Sequence, residues 1–311
     1  MAEALYGDGG FYRAGGAPGR HFRTSAHASP QWAAALAELA RQVDQLLGEP
    51  VDFTVVDMGA GGGEVLADLA ATAPARWRLV GVEIAPRPGR LPARVDWTDA
   101  LPVGFTGVLL AVEWLDVVPV DVVELTEAGP RLVEVTRDGR ERPGPAPSLA
   151  DADWLQRWWP LESLGDRAEV GLSRDEAWAD AVRRLTRGLA VAVDYAAVPA
   201  RDLGGTLTGY REGRQLLPVP DGSCDITAHV LLESCAAACD DVESVLLGQR
   251  EALGRLGVSA PRPAYGGDPT AYLTALSAAG EAAELLDPAG LGAFTWLLQA
   301  KGMRVDGMMG G

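Results

Sequence analysis

Apolar positions along the chain alternate between two periods: short β-branched runs, and longer stretches with apolar residues at three- and four-residue steps. Trp32, Leu36, Leu39, Val43 and Leu46 mark one buried face of a helix that ends near Gly48. Ser29 can cap that helix, and Pro30 occupies its first position, where a missing N–H costs nothing. After the turn at Glu49-Pro50, Phe53-Thr54-Val55-Val56-Asp57 predicts a strand buried on both faces, and Glu64–Ala73 returns to helical spacing. Arg78–Glu83, Arg94–Trp97 and Val108–Glu113 predict three more strands. A helix over Arg174–Arg187, with Ala177, Trp178, Ala181, Val182 and Leu185 on one face, leads into a fifth strand at Leu189–Asp194. Strands alternating with helices imply an α/β fold, an open Rossmann-like sheet with helices on both faces and right-handed crossovers.

Between the fourth and fifth strands the pattern is interrupted over roughly residues 117–169. This stretch carries two β-like runs, Val122–Thr126 and Leu132–Thr136, a Pro/Gly-rich piece at Arg142–Pro147, and Trp154, Trp158 and Trp159. The tryptophan spacing suits a helix docked on a core more than a ligand-stacking surface. The expected organisation is an N-terminal segment with the first half of the sheet over 1–116, and an inserted α+β substrate or lid region over 117–169. The second half of the sheet follows over 170–311, with a lid segment at 200–260.

Composition narrows the chemistry. The 311 residues hold 27 basic against 43 acidic side chains, a formal charge of -16, so a general nucleic-acid or anionic-lipid partner is excluded. Lys301 is the sole lysine and lies in a polar tail, which removes Walker-loop and Schiff-base chemistry. Cys224, Cys235 and Cys239 show no paired spacing and read as reduced thiols, and His21, His27 and His229 show no zinc-ligand spacing, so no metal is expected. Neither a secretory start nor an apolar run of membrane-spanning length is apparent, and the expected location is cytoplasmic.

The glycine turn after the first strand, Asp57-Met58-Gly59-Ala60-Gly61-Gly62-Gly63, lies where α/β sheets bind ligands. It fails the dinucleotide fingerprint, because the place of the third glycine is Glu64, whose charge would compete with a diphosphate for the helix N-terminus. It fits acidic-x-Gly-x-Gly-x-Gly, the first motif of class I S-adenosylmethionine methyltransferases, with Gly59, Gly61 and Gly63 in the glycine places. Asp57 would compensate the cationic methionine part of that cofactor, and Glu83, ending the second strand, would accept hydrogen bonds from both ribose hydroxyls. Asp96 and Trp97 could hold adenine through its amino group and by stacking, although Trp97 also suits a core position.

Further blocks, in order, carry a wider resemblance. They are Ala4-Leu5-Tyr6 with Gly10-Phe11-Tyr12, His21-Phe22-Arg23-Thr24-Ser25, and Glu113-Trp114-Leu115-Asp116-Val117-Val118-Pro119. Arg167–Val170, Val193-Asp194-Tyr195, Thr206–Arg211 and Asp225-Ile226-Thr227-Ala228-His229 follow. Over about residues 4–300 the chain resembles the MidA-type methyltransferases, relatives of the mitochondrial complex I assembly-factor arginine methyltransferase. The resemblance implies S-adenosylmethionine as cofactor and a protein or peptide substrate, with arginine a candidate acceptor. It adds Thr24 and Ser25 to the cofactor site and puts His229 over the cleft.

Methyl transfer is an in-line displacement that needs positioning more than a dedicated nucleophile. A guanidinium acceptor further needs carboxylates to orient it and help it lose a proton, and Glu113, Asp116 and His229 are the candidates. Glu113 could instead serve the adenine side of the cofactor, Asp116 could cap the following segment, and Arg211 could pair with Asp194 to close the lid. Where relatives carry Pro-Glu after Thr-Ser this chain has Ala26-His27, and Val112 replaces an Asn. Those departures leave open an alternative: a cofactor-binding assembly or scaffold protein with weak or lost turnover.

Overall fold

The structure, a computed structural model, describes residues 1–14, 29–196, 204–266, 268–305 and 308. Phe53–Met58 forms β1, buried except at Met58, as its β-branched run requires of a strand covered on both faces. Arg78–Val82 (β2), Val95–Thr98 (β3), Phe105–Val112 (β4), Leu185–Asp194 (β5), Glu243–Gly248 (β6) and Thr295–Lys301 (β7) join it in one sheet. Their spatial order is β6-β7-β5-β4-β1-β2-β3. β1 pairs in parallel with β2 and β4, β2 with β3, and β4 with β5. Successive strands thus run outward from β1 to one edge and then, from β4, toward the other. The crevice at such a reversal, outside the strands' carboxyl ends, is where α/β sheets bind ligands.

The helix Pro30–Leu46 forms as its apolar spacing predicts, with Ser29 Oγ accepting from Gln31 N at 3.1 Å. It buries Trp32, Leu36, Leu39 and Val43, and Trp32 meets Trp296 of β7 edge-on at 5.5 Å. The helix Glu64–Thr72 seats Val65, Leu66 and Leu69 in the core.

Several boundaries differ from the expectation, and β2 ends at Val82 so that Glu83 follows the strand. The helix before β5 spans Leu172–Arg184 and stops three residues early, because residues from Leu185 onward extend to pair with β4. β4 starts at Phe105 and ends at Val112, so Glu113 leaves the strand. The sequence pattern also gave no sign of β7, of β6, an edge strand paired antiparallel to β7, or of the helices Gln249–Arg255 and Pro269–Leu285. β6 alternates half-buried and exposed residues, as an edge strand does, and lacks the continuous apolar run of a central one.

Contact clustering divides the chain into two units. The sheet unit takes the described residues of 23–112, 182–193 and 241–311, and the smaller unit those of 1–22, 113–181 and 194–240. In the smaller unit, Glu141–Pro143, Gly129–Val135, Asp121–Thr126 and Arg167–Val170 form a four-stranded antiparallel sheet in that order. A helix over Leu149–Trp158, opened by a Ser148/Asp151 capping box, puts Trp154, Leu155 and Trp159 into a core with Val123, Ala168 and Val170. Those tryptophans are packing residues, as their spacing suggests. A second core unites Ala4, Leu5 and Phe11 with Val117, Cys224 and Ile226 beneath a three-stranded sheet of Arg214–Leu216, Thr208–Arg211 and Asp225–Thr227. Among the described residues no helix is long and apolar enough to cross a membrane.

Candidate active site

In the sheet unit the glycine loop folds back over β2: Gly59 N and Ala60 N both donate to Val82 O, at 2.9 and 3.2 Å. Gly59, Gly61 and Gly63 have φ of 70°, 53° and 75°, the left-handed region where a side chain is strained. A Cβ on Gly63 would also stand 2.8 Å from Leu91 Cδ1, so a side chain there would have to displace the end of Leu91. The Glu83 carboxylate is fixed at both ends, Oε2 accepting from Gly61 N and Oε1 from Ala85 N, each at 3.0 Å. Its own N–H donates to Thr98 O at 2.8 Å. Each carboxylate oxygen keeps a further lone pair, and two acceptors on one rigid group suit a vicinal diol.

Asp57 is buried at the end of β1. Burial, reinforced by the charges of Glu64 and Glu83, pushes its pKa up to about 7. Glu64 opens the next helix, lies against Gly62, and pairs with Arg90 at 3.1 Å. Three carboxylates gathered at one glycine loop repel a diphosphate and favour a cation, as the sequence argument against a dinucleotide requires.

Asp96 and Trp97, expected together beside adenine, part in the structure. Neighbouring strand residues point to opposite faces. The Trp97 ring lies against Gly63 and Gly81 and its Nε1 donates to Ala85 O at 2.9 Å, which puts it at the glycine loop. Asp96 instead pairs with Arg78 at 2.8 Å, both more than half exposed. Thr24 and Ser25 lie outside the described residues.

The smaller unit resumes at Glu113, which has φ of 52° and so turns the chain sharply at a cost of about 1–2 kcal/mol. The next turn, Leu115–Val117, is fastened to the end of β5: Leu115 N donates to Asp194 Oδ2 at 3.0 Å. Asp116, Asp194 and Asp225 are all buried, and Asp116 Oδ1, Asp194 Oδ1 and Asp225 Oδ2 have no hydrogen-bond partner among the described residues. Burial raises the pKa of Asp116 well above the carboxylate range, with the charges of Asp194, Glu113 and Asp225 adding to it. Asp194 is likewise pushed up, to about 8, chiefly by burial, against the pull of Arg174.

Arg174 is the buried cation of this cluster, but it spends its N–H groups on main-chain carbonyls. They are His229 O at 2.6 Å, Asp116 O at 2.8 Å, Ala228 O at 3.1 Å and Val118 O at 3.4 Å. It thereby ties the turn carrying Asp116 to the segment carrying His229 and leaves the carboxylate oxygens open. The His229 ring is exposed and stacks on Tyr195 at 5.9 Å, and partial desolvation lowers its pKa. Thr206 Oγ1 accepts from His229 N, and Glu169 in turn accepts from Thr206 N and Leu207 N, so the Glu169 and Thr206 blocks hold His229 in place. The conceivable Arg211–Asp194 pair does not form. Arg211 reaches Ser223, whereas Asp194 bonds Leu115 N.

Glu113, Asp116 and, through Arg174, His229 are thus gathered in one unit, and Asp57, Gly59, Gly61, Gly63, Glu83 and Trp97 in the other. Sequence reasoning did not single out Arg174, Asp225 or Tyr12 as site residues. The aligned blocks contain the latter two, while Arg174 looks like an ordinary first-turn helix residue.

A model of a family described as "Putative S-adenosyl-L-methionine-dependent methyltransferase" matches residues 73–248. Among solved structures, a superfamily member from Burkholderia thailandensis bound to S-adenosyl-homocysteine, described as a "likely methyl transferase", is similar at 25% identity. Its TM-score is 0.82, over 98% of this chain and 87% of that one. A native structure of an uncharacterized protein of the same superfamily and organism gives 26% identity and a TM-score of 0.77, over 98% and 86%. Comparison with curated proteins found no match. The glycine loop, the Glu83 carboxylate held beside it and the acid near the end of β1 fit the adenosyl sulfonium cofactor, and the chain belongs to this S-adenosyl-L-methionine-dependent methyltransferase family.

Proposed function

We propose that the chain transfers a methyl group from S-adenosylmethionine to a protein side chain, with an arginine guanidinium as acceptor, as a MidA-type enzyme in the cytoplasm. The cofactor supplies an electrophilic methyl on a cationic sulfur. In this proposal Gly59, Gly61 and Gly63 admit the cofactor's backbone contacts, Asp57 offsets its positive charge, Glu83 takes the ribose hydroxyls, and Trp97 flanks the adenosine. Glu113 and Asp116 orient the acceptor, and His229 borders its entry.

The observation that carries the acceptor assignment is the set of buried carboxylates, Asp116, Asp194 and Asp225, each with an oxygen left without a partner among the described residues. Buried polar atoms are nearly always satisfied, and an unsatisfied carboxylate oxygen costs free energy that a bound cation returns. A guanidinium, with five N–H donors in a plane, can meet several such oxygens at once. The three cysteines are buried and form no disulfide, as suits a reducing compartment.

Incubating the purified chain with methyl-labelled cofactor and host lysate tests this function. Label in a protein, recovered after hydrolysis as methylarginine, is the expected result. Label on another residue overturns the acceptor. Cofactor binding with no labelled acceptor supports the scaffold alternative.

A further inference from the structure

We propose that Asp225 is a further catalytic carboxylate of the smaller unit, binding the acceptor nitrogen through Oδ2 and taking its proton, with Tyr12 as its positioning residue. The inference rests on the acceptor reading above and extends it to two residues that have no role there as base or as its holder.

Asp225 opens the strand Asp225–Thr227 and is fully buried. Its Oδ1 accepts from Tyr12 Oη at 2.9 Å, across 213 residues of sequence, while Oδ2 is buried without a partner among the described residues. One oxygen is therefore fixed and the other is available. Tyr12 is itself held: its ring stacks on Tyr6 at 5.4 Å and meets Phe11 edge-on, and Tyr6 Oη donates to Val117 O.

The titratable groups facing Asp225 are Tyr12 from the N-terminal segment, Tyr210 from Thr208–Arg211, Asp116 from the turn after β4, and neighbouring Cys224. Burial raises the pKa of every one of them, which disfavours their charged forms around Asp225. Asp225 itself is raised only to about 6, because the Tyr12 hydroxyl and the Ile226 N–H oppose the effect of burial. Unlike Asp194, raised to about 8, it is ionised at neutral pH and still basic enough to accept a proton, the range in which general bases are most effective.

The step balances as follows. The acceptor nitrogen forms its bond to the methyl carbon as the carbon–sulfur bond breaks, and that electron pair stays on sulfur. The surplus proton on the nitrogen passes to Asp225 Oδ2 and later to water. A guanidinium enters and a methylguanidinium leaves.

The test compares wild type, D225N and Y12F in the full chain. It measures adenosylhomocysteine binding, thermal stability, and the pH dependence of methyl transfer to an acetylated Gly-Arg-Gly peptide. D225N is expected to bind adenosylhomocysteine as wild type does and to lose about 100-fold or more in kcat. Y12F removes one hydrogen bond to the carboxylate and is expected to move the acidic limb of the kcat profile upward by about one pH unit. A merely structural role for Tyr12 would lower stability and leave that limb in place. If D225N turns over within about threefold of wild type, or the Y12F limb does not move, the inference fails while the acceptor reading stands. If wild type binds adenosylhomocysteine but methylates no arginine peptide, the acceptor reading fails and takes the inference with it.

Discussion

Asp57 sits where a small change in environment decides its charge. Burial and two acidic neighbours bring its pKa to about 7, and a cationic ligand favours its ionised form. Affinity for S-adenosylmethionine is therefore expected to rise about tenfold between pH 6 and 8. Adenosylhomocysteine, lacking the sulfonium charge, should show a shallower rise. Asp57→Asn should flatten both slopes, and calorimetric titration across that range checks it; equal slopes in variant and wild type would contradict the assignment. The Asp57 and Glu83 places were legible in the sequence because an acid ending a buried strand is a local signal. Arg174 and the Tyr12–Asp225 pair were not, since their meaning comes from bonds that span tens to hundreds of residues.

At the scale of elements, the glycine loop and the helix it opens depend on two tight fits. Gly63 has φ of 75°, and a Cβ there would have to displace the end of Leu91. Gly63→Ala should cost about 1–2 kcal/mol in backbone strain alone and shift Leu91, so adenosylhomocysteine binding should weaken together with stability. Leu66, fully buried on Glu64–Thr72, packs against Gly81 of β2. Leu66→Ala should cost about 2–5 kcal/mol by denaturant unfolding, with any binding loss following from stability. Binding that is unchanged in Gly63→Ala would detach the loop from the cofactor. Four of the five parallel strands were readable as buried apolar runs flanked by helix or turn signals, whereas β3 buries only Val95 fully. β6 escaped notice because an edge strand half open to water loses that run, and the early start of β5 reflects pairing with β4 overriding the helical spacing of residues 185–187.

For the whole molecule, raised carboxylate pKa values make stability depend on pH in a stated direction. A carboxylate whose folded pKa lies above its unfolded value of about 3.9 favours the folded state most when protonated. That contribution is complete below the unfolded value and is lost as pH rises through the folded one. For Asp225 the loss runs to about 6 and for Asp194 to about 8. The melting temperature of the ligand-free chain is expected to fall between pH 5 and 8.5, and Asp194→Asn should remove the upper part of that fall. A scan with no slope, or with the same slope in the variant, would contradict the buried-acid account. The formal charge of -16 works in the same direction, since carboxylates released at higher pH add to self-repulsion.

The central claim is that the loop after β1, with Glu83, holds an adenosyl cofactor. Calorimetric titration of adenosylhomocysteine into wild type and Glu83→Gln tests it most directly. One-to-one binding to wild type is expected, with affinity about tenfold lower or worse in the variant, because the amide offers a single acceptor to the two ribose hydroxyls. No binding to wild type, or equal affinity in the two proteins, would contradict it.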